Sequence, residues 1–305
     1  MENERVLMAS QKSTTVRLYR VGFRLGELVA PGLSARLATD LWFRLPPPRP
    51  AGEVPPGGTP FEVHAQRHAV RGLYWGRGPA VYLVHGWGGR ADQLAAFVEP
   101  LVSAGHRVVL FDGPSHGDSE PGALGPGSTS AIEFGRALDA VAARFGRASA
   151  VVAHSMGAVA TLLSLKYGWL ATERLVLLAP MSRLSTHRDA LFSALGVGPR
   201  TTRRTDRLLE RRVGHPIEEF DLARLGAEVD PVPTLVVHDR DDRMTPHAAS
   251  ELWVESWPAR LVSTEGLGHQ RLLRDPGVVR TVTDFVTGRS AAAVHRGDAL
   301  RAATG

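Results

Sequence analysis

The chain contains no cysteine among its 305 residues. Disulfides, thiolate nucleophiles and cysteine-ligated metal sites are therefore excluded. Lysine is almost as scarce, since Lys12 and Lys166 are the only two and nearly all of the positive charge is arginine. The glycine-rich stretch at 86–89 consequently lacks the Gly-Lys-Ser/Thr that completes a phosphate-binding loop, so we expect no nucleotide phosphate there.

Two further signals are missing. No nucleic-acid-binding motif accompanies the net charge of +5 and the pI of about 10.2, so we expect no nucleic-acid partner. A secretory signal is not evident either, because the first five residues carry two glutamates and no compact apolar stretch follows them. The expected location is therefore the cytoplasm. A hydrophobic content of 43% and a charged content of 22% are ordinary for a globular protein.

One apolar stretch, VVAHSMGAVA at 151–160, lies in a segment that approaches a membrane span in length. Between 148 and 165 the only side chain that can carry a charge is His154, and a bilayer requires about 20 apolar residues. Yet His154 and Ser155 interrupt its centre, β-branched valines precede them, and residues that favour helix follow. The pattern predicts a buried strand, a sharp turn at Ser155 and a buried helix.

The N-terminal part of the chain has helical patterning from Thr14 to Leu45, interrupted at Pro31. An apolar face is predicted to pack against the core, with docking of a basic amphipathic helix on a membrane as the alternative. That face comprises Val16, Leu18, Val21, Phe23, Leu25 and Leu28. Residues 46–60 hold seven prolines and three glycines, which is typical of an extended connector. We therefore predict an N-terminal helical extension and connector over 1–60, a main domain over 61–288, and a disordered tail over 289–305.

Strand and helix patterns alternate after the connector, and several strands are apolar throughout. This alternation predicts a mostly parallel α/β sheet covered by helices on both faces. Residues 181–230 lack a strand pattern and are predicted to form a small helical lid. Arginines recur there at helical spacing, and we predict a solvated face for them, with recognition of an anionic substrate as the alternative. They are Arg200, Arg203, Arg204, Arg207 and Arg211.

Polar stretches follow the predicted strands. In an open parallel sheet, ligands bind beyond the carboxyl ends of the strands, and these stretches therefore mark the candidate site. They are HGWGG at 85–89, DGPSHGDS at 112–119, AHSMG at 153–157, DRDD at 239–242 and GLGH at 266–269.

These five motifs, in this order, resemble those of the α/β-hydrolase superfamily, and the resemblance runs from about Ala80 to Val286. AHSMG is similar to the nucleophile elbow Gly-x-Ser-x-Gly, with Ala153 in place of the first glycine. The resemblance implies the α/β-hydrolase fold, Ser155 as the nucleophile, and His269 as the base that takes its proton.

The acid that orients the base is less well determined, because Asp239, Asp241 and Asp242 share one loop. Similar hydrolases often have Gly-x-x-Asp-x-x-Val-Pro in this loop, and alignment on Pro246 places Asp242 at the acid. Some relatives take the acid from the preceding strand instead. That strand is followed here by LAPMSR, which contains no carboxylate.

The resemblance also places an oxyanion hole at the backbone N–H groups of Trp87 and Met156. It implies a carboxylesterase-like serine hydrolase that cleaves an ester or a related acyl substrate through an acyl-enzyme, with no cofactor and no metal. Thioesterase, amidase, acyltransferase and carbon–carbon hydrolase activities stay open, as does a non-catalytic ligand receptor on the same fold. A peripheral lipase docked through the N-terminal helices is a further, less favoured alternative. The expected partner is a small-molecule acyl substrate, and neither its identity nor the oligomeric state follows from the sequence.

Overall fold

The structure, a computed structural model, describes the backbone of residues 2–289 and the side chains of residues 15–289. This part of the chain builds a single sheet of eight strands. The strands are β1 (Thr59–Ala65), β2 (His68–Trp75), β3 (Ala80–Val84), β4 (Arg107–Phe111), β5 (Ala148–His154), β6 (Leu175–Leu178), β7 (Thr234–Asp239) and β8 (Ala259–Thr264). Their order across the sheet is β1-β2-β4-β3-β5-β6-β7-β8. β2 is antiparallel to β1 and to β4, and all other neighbours are parallel.

Helices cover both faces of the sheet. They are α1 (Glu2–Val29), α2 (Pro31–Phe43), α3 (Val98–Ser103), α4 (Ala131–Phe145), α5 (Met156–Lys166), α6 (Leu184–Leu195), α7 (Pro199–Val213), α8 (Leu222–Ala227), α9 (His247–Ser256), α10 (Gly268–Arg271) and α11 (Pro276–Thr287). Side chains of α4, α5, α8 and α9 pack on one face, while α3, α11 and a 3-10 turn at Ala91–Phe97 pack on the other. The predicted α/β-hydrolase architecture is confirmed.

The central strands are buried on both faces. In β3, Tyr82 and Val84 contact one helical layer, whereas Val81 and Leu83 contact the other. Alternate side chains of a strand point to opposite faces, so a strand covered on both sides must be apolar at every position. β5 is buried along its whole length for the same reason. The apolar run that approached a membrane span is thus a strand and a helix of the core, as predicted.

After the connector, β1 and β2 form a hairpin, and the 3-10 turn at Ala91–Phe97 leads directly into α3. Residues 45–58 contain no helix or strand. The predicted tail at 289–305 lies outside the described residues except for Arg289.

The N-terminal helices depart from the sequence analysis in how they face the core. On α1, Phe23 is buried in a small cluster with Phe192 of α6, but Leu18, Val21 and Leu25 are exposed. The prediction that the whole apolar face packs inward is therefore wrong, because α1 turns only its Phe23 side toward the protein. Among the described residues, no helix combines the length and the apolar composition needed to span a bilayer.

The segment between β6 and β7 is helical and includes α6, α7 and α8. The five arginines that were predicted to form a solvated face lie on α7, and all five are exposed, as expected. α7 packs against α2, and Glu27 of α1 accepts hydrogen bonds from the N–H groups of Arg200 and Thr201 at 2.7 and 2.9 Å. A carboxylate at a helix N-terminus satisfies amides that lack a partner within the helix. The N-terminal helices and the helical segment at 181–230 are thereby joined into one cap.

Candidate active site

Ser155 lies at the sharp turn between β5 and α5. Its backbone has φ 53° and ψ −119°, a conformation that costs a non-glycine residue energy and persists where the surroundings impose it. A Cβ at Gly157 would lie 2.7 Å from the carbonyl oxygens of both Val84 and His85. The end of β3 therefore passes against the first turn of α5, and glycine is required at 157. Ala153, which stands in place of the first glycine of the motif, is fully buried in β5, so a methyl side chain fits at that position.

His269 meets both of its predicted partners. Its Nε2 lies 3.1 Å from Oγ of Ser155, and its Nδ1 lies 2.7 Å from Oδ2 of Asp242. All three side chains are buried. In the tautomer with the proton on Nδ1, His269 donates to the carboxylate and accepts from the serine hydroxyl. The structure thus assembles Ser155, His269 and Asp242 from three separate loops in the order expected for removal of the serine proton.

Asp242 is held as a carboxylate by a full set of donors. Oδ1 accepts from the N–H groups of Met244 and Thr245 at 2.7 and 3.0 Å, and Oδ2 also accepts from the Thr245 hydroxyl at 2.8 Å. Burial alone would raise the pKa of Asp242, but hydrogen bonds from His238, His269 and the Thr245 backbone hold that pKa well below its usual range. The group is therefore ionised and fixed in one orientation.

Two neighbours of Asp242 were not found from the sequence. His238 is fully buried, with Nε2 at 3.0 Å from the Thr245 carbonyl oxygen and 3.3 Å from Oδ2 of Asp242, while its Nδ1 lies 2.7 Å from Oγ of Ser250. Thr245 contacts both Asp242 and Nδ1 of His269. The only signal in the sequence is a histidine at the end of an apolar strand, which does not indicate what the ring contacts.

The other two aspartates of this loop serve its architecture. Asp239 accepts from the Thr264 hydroxyl at 2.7 Å and from the Leu267 N–H at 3.0 Å. Asp241 accepts from the Gly266 N–H at 2.9 Å. Within the described part of the chain neither forms a hydrogen bond with His269. They attach the loop that precedes His269 to the end of β7.

His154 connects the serine turn to the histidine loop. Its Nε2 lies 3.0 Å from the carbonyl oxygen of His269, and its Nδ1 is buried with no hydrogen-bond partner among the described residues. Burial, together with the nearby His269 ring, lowers the pKa of His154 to about 3. The ring is therefore neutral, and Nε2–H donates to the backbone of His269.

The two predicted oxyanion donors lie beside Ser155. Met156 is the first residue of α5, where an N–H has no carbonyl partner in its own helix. The Trp87 N–H has no hydrogen-bond partner among the described residues. A Cβ at Gly86 would lie 2.9 Å from Cβ of Ser155, so the backbone that precedes Trp87 runs directly against the turn at Ser155. Both N–H groups are thus placed next to the serine, as an oxyanion hole requires.

Two buried histidines brace the Trp87 loop. The Gly88 N–H donates to Nε2 of His116 at 3.0 Å, and the Gly113 N–H donates to Nε2 of His85 at 2.9 Å. Burial lowers the pKa of His85 to about 4 and that of His116 to about 3. Both rings are therefore neutral, which leaves Nε2 free to accept from these amides.

A cavity of about 280 Å³ opens beside Trp87 and Met156. Trp87, Met156 and Met181, which follow the ends of strands, line one part of it, and most of the remaining wall comes from α2, α6, α7 and the 3-10 turn at Ile217–Phe220. The apolar lining residues are Leu41, Trp42, Phe43, Trp87, Ala131, Met156, Met181, Leu184, Leu191, Leu209, Val213, Ile217 and Phe220. His187 and His215 are the imidazoles in the lining, and Arg44, Thr129 and Ser130 complete it. Within the described residues no cluster of three or more acidic or histidine side chains has the arrangement of a metal site.

The model of the alpha/beta hydrolase family matches residues 81–282, which is about two thirds of the chain. The chain belongs to the alpha/beta hydrolase family. A search of curated proteins gave no match.

Solved structures of low sequence identity share the hydrolase fold. A serine hydrolase from the polyaromatic-hydrocarbon-degrading bacterium Cycloclasticus zankles has a TM-score of 0.59 and 16% identity, over 76% of this chain and 99% of that protein. A thioesterase domain from the curacin biosynthetic pathway has a TM-score of 0.55 and 17% identity, over 75% of this chain and 99% of that domain. A membrane phospholipase A, described as a bacterial virulence factor, has a TM-score of 0.58 and 17% identity, over 95% of this chain and 100% of that protein.

Proposed function

We propose that this hydrolase cleaves a carboxylic ester, or a related acyl compound, through a covalent acyl-serine intermediate. The observation that carries the proposal is the continuous set of hydrogen bonds from Ser155 through His269 to Asp242, at 3.1 and 2.7 Å. A serine hydroxyl becomes an effective nucleophile when a base takes its proton in the transition state, and the base requires a partner that fixes its tautomer.

Acylation follows from this geometry. Oγ of Ser155 attacks the substrate carbonyl carbon while its proton passes to Nε2 of His269. The carbonyl oxygen becomes an oxyanion and accepts hydrogen bonds from the N–H groups of Trp87 and Met156, each worth roughly 10²–10³ in rate. When the carbon–oxygen bond of the ester breaks, Nε2–H of His269 returns the proton to the departing alcohol.

Deacylation repeats the same steps with water. His269 takes a proton from the water that attacks the acyl-serine, and it then returns that proton to Oγ of Ser155 as the acid product leaves. Asp242 stays ionised throughout and stabilises the imidazolium form of His269 in both halves of the cycle. Every proton is transferred between side chains and water, so the proposed reaction needs no cofactor and no metal.

The apolar cavity supports an apolar acyl group as the substrate portion that lies beside Ser155. Its lining is mainly aliphatic and aromatic, with few polar groups to orient a ligand. We also propose that residues 61–288 are the hydrolase domain and that residues 181–230 act as its lid. Residues 1–60 would form an N-terminal extension, and α2 within that extension contributes to the wall of the cavity. The lid would select substrates by size and perform no proton transfer, since all three residues of the proposed triad lie outside it.

The decisive experiment is labelling with a fluorophosphonate probe, which reacts with activated serines. The natural protein should be labelled, and Ser155→Ala should not be. Ser164→Ala is a matched control, because Ser164 is a buried serine of α5 whose hydroxyl, in the part of the chain that the structure describes, donates only to backbone carbonyls. Labelling that persists in Ser155→Ala, in a protein with an unchanged circular dichroism spectrum, would refute the assignment.

A panel of activated substrates then decides among reactions that share this triad. Esters, thioesters, amides and carbon–carbon bonds activated by a vinylogous carbonyl differ in the leaving group and not in the acyl-serine. We expect esters with apolar acyl chains to be turned over fastest. A protein that is neither labelled nor active on any member of the panel would instead be a ligand receptor on this fold.

A further inference from the structure

The N-terminal helices carry most of the exposed large hydrophobic side chains of the described structure. Among the described residues, ten large hydrophobic side chains are exposed, and eight of them lie on α1 and α2. They are Val16, Leu18, Val21, Leu25, Leu28, Val29, Leu33 and Leu37. Single exposed leucines are normal on a protein surface, but a contiguous group marks a site of interaction.

On α1 these residues form a defined stripe. Leu18, Val21, Leu25 and Leu28 are spaced by three, four and three residues, which places them along one side of the helix. They are between 58% and 72% exposed, whereas Phe23 on the opposite side is 2% exposed. Packing within the chain therefore accounts for the Phe23 side of α1 only and leaves the leucine stripe uncovered by any described residue.

Exposed arginines accompany the stripe on α1 and α2. Arg17, Arg24 and Arg36 are exposed and form no ion pair with any described residue, while the Arg20 guanidinium donates to the Ala194 carbonyl oxygen. Glu27 is the only acidic residue between 15 and 39, and it is occupied by the N-terminus of α7. An apolar stripe with arginines beside it, and with no free carboxylate between residues 15 and 39, is the pattern of a helix that lies in the interface of an anionic bilayer.

The exposed surface of α2 is continuous with the cavity. Leu33 is 67% exposed, Leu37 is 42% exposed, and Leu41 lines the cavity. These three leucines are four residues apart and therefore follow one another along one side of α2. Trp42 and Arg44, at the C-terminal end of the helix, also line the cavity. An apolar track thus runs from the outer surface of the cap to the pocket beside Ser155.

We propose that α1 and α2 dock on the surface of a bilayer that contains anionic phospholipids, and that the substrate is an acyl lipid delivered along α2 into the cavity. The docking part stands on the stripe and its arginines alone, and the substrate part rests on the proposed hydrolase function. A second copy of the chain is a poorer occupant of the stripe, because a symmetric pairing would bring the same unpaired arginines together, and like charges across an interface are repulsive.

Docking is tested on the full chain by co-sedimentation with vesicles of phosphatidylcholine, with and without phosphatidylglycerol. We expect binding that requires phosphatidylglycerol and weakens as salt is added, because exposed charges are screened. The double substitution Leu18→Ser with Leu25→Ser should abolish binding. Arg17→Gln with Arg24→Gln should weaken it by about tenfold or more, since each arginine near an anionic surface contributes about fivefold.

Two matched controls separate docking from a general loss of surface properties. Leu252→Ser removes an exposed leucine of α9 that is 63% exposed, and Arg77→Gln removes an exposed arginine of the β2–β3 loop. Both should bind vesicles as the natural protein does, and all variants should have the melting temperature of the natural protein. Equal binding by the stripe variant, or binding that ignores phosphatidylglycerol, would overturn the proposal. So would light scattering that shows a dimer dispersed by the stripe substitutions.

The substrate part has its own measurement. The stripe variant should hydrolyse a short-chain, water-soluble ester at the normal rate but release much less fatty acid from vesicles. Ser155→Ala should sediment with vesicles as well as the natural protein does. If the natural protein does not hydrolyse the short-chain ester, the hydrolase proposal is wrong, but the docking proposal still stands. If the stripe variant hydrolyses vesicle lipids at the normal rate, delivery of the substrate through docking is wrong.

Discussion

The two halves of the site are built differently. At the sheet edge, Ser155, His269 and Asp242 are buried, and the carboxylate accepts four hydrogen bonds within 3.0 Å. In the cap, apolar side chains line a cavity, and much of α1 is exposed to solvent. Hydrogen bonds are directional and fix positions within fractions of an ångström, whereas apolar contacts specify volume and tolerate rearrangement. We therefore expect the proposed chemistry to depend on the sheet edge and the choice of substrate to depend on the cap.

The largest effect should come from Ser155→Ala. Removal of the nucleophile from a serine triad costs roughly 10⁶ in kcat, and here it removes the only hydroxyl within reach of His269 Nε2 in the described structure. The measurement is turnover of an activated ester, with the free energy of unfolding as a control. A residual rate within about 10² of that of the natural protein would contradict the assignment of Ser155, because the chemistry would then not depend on this turn.

Asp242→Asn should be the next most severe change. An amide favours the wrong tautomer of His269, and in the serine-protease triad this change costs about 10⁴ in kcat; a loss of at least about 10² is expected here. Asp241→Asn is the matched control, because in the described structure the Asp241 carboxylate accepts a hydrogen bond from the Gly266 N–H only. Asp239→Asn should affect stability more than kcat. If Asp241→Asn proves to be the inactive variant, the assignment of the acid is wrong.

His154→Leu should lower kcat by about 10², because loss of the bond to the His269 carbonyl lets the base shift, and a displacement of about 1 Å has that cost. KM should change little, since His154 does not line the cavity. His154→Gln, which can offer an N–H at a similar reach, should recover much of kcat. An unchanged kcat in His154→Leu would show that the loop is held by Asp239 and Asp241 without this contact.

A substitution in the cap should have a smaller and more selective effect. Leu191→Trp enlarges a side chain of α6 that lines the cavity, so the cavity should accommodate less of a long acyl chain. Turnover of a long-chain ester should then fall by about tenfold, as expected for the loss of one or two methylene contacts. Turnover of an acetyl ester should stay the same. Equal losses on both esters would show that the cap positions the triad, contrary to the division of labour described above.

The smallest effect at neutral pH concerns the buried histidines. His85, His116 and His154 have folded pKa values of about 4, 3 and 3, below the ordinary 6.5. The unfolded chain therefore binds more protons below pH 6.5, and stability should fall progressively as the pH decreases from about 6.5 toward 3. Urea unfolding at a series of pH values measures this. His116→Asn should flatten the dependence, whereas His64→Gln, at an exposed histidine, should not.

The order of strands and helices followed from local patterns. Apolar strands, each followed by a polar loop, predicted the parallel sheet, and the five loop motifs identified the residues that the structure brings together. Asp242 was selected among three aspartates by its distance from Pro246, and the structure places that residue, and not Asp239 or Asp241, against His269. The catalytic roles of Ser155, His269 and Asp242 are a proposal, which the variants described above test.

Three features were decided by the tertiary structure. Thr245 meets Nδ1 of His269 because the loop after β7 lies against the loop after β8, 24 residues further along the chain, and no spacing rule predicts that contact. The cavity walls come from helices that lie far apart in the chain. The side of α1 that faces the protein was also not predictable, since Phe23 and Leu25 are both apolar and both fit a helical repeat.

The physical reason is the range of the interactions involved. Strand and helix patterns, turns and motif spacing depend on neighbours within a few residues, and the sequence alone determined them. Which apolar side of a helix is buried depends on a partner elsewhere, here Phe192 of α6 for Phe23 and the N-terminus of α7 for Glu27. Those partners lie about 170 residues along the chain from α1, and only the folded chain brings them together.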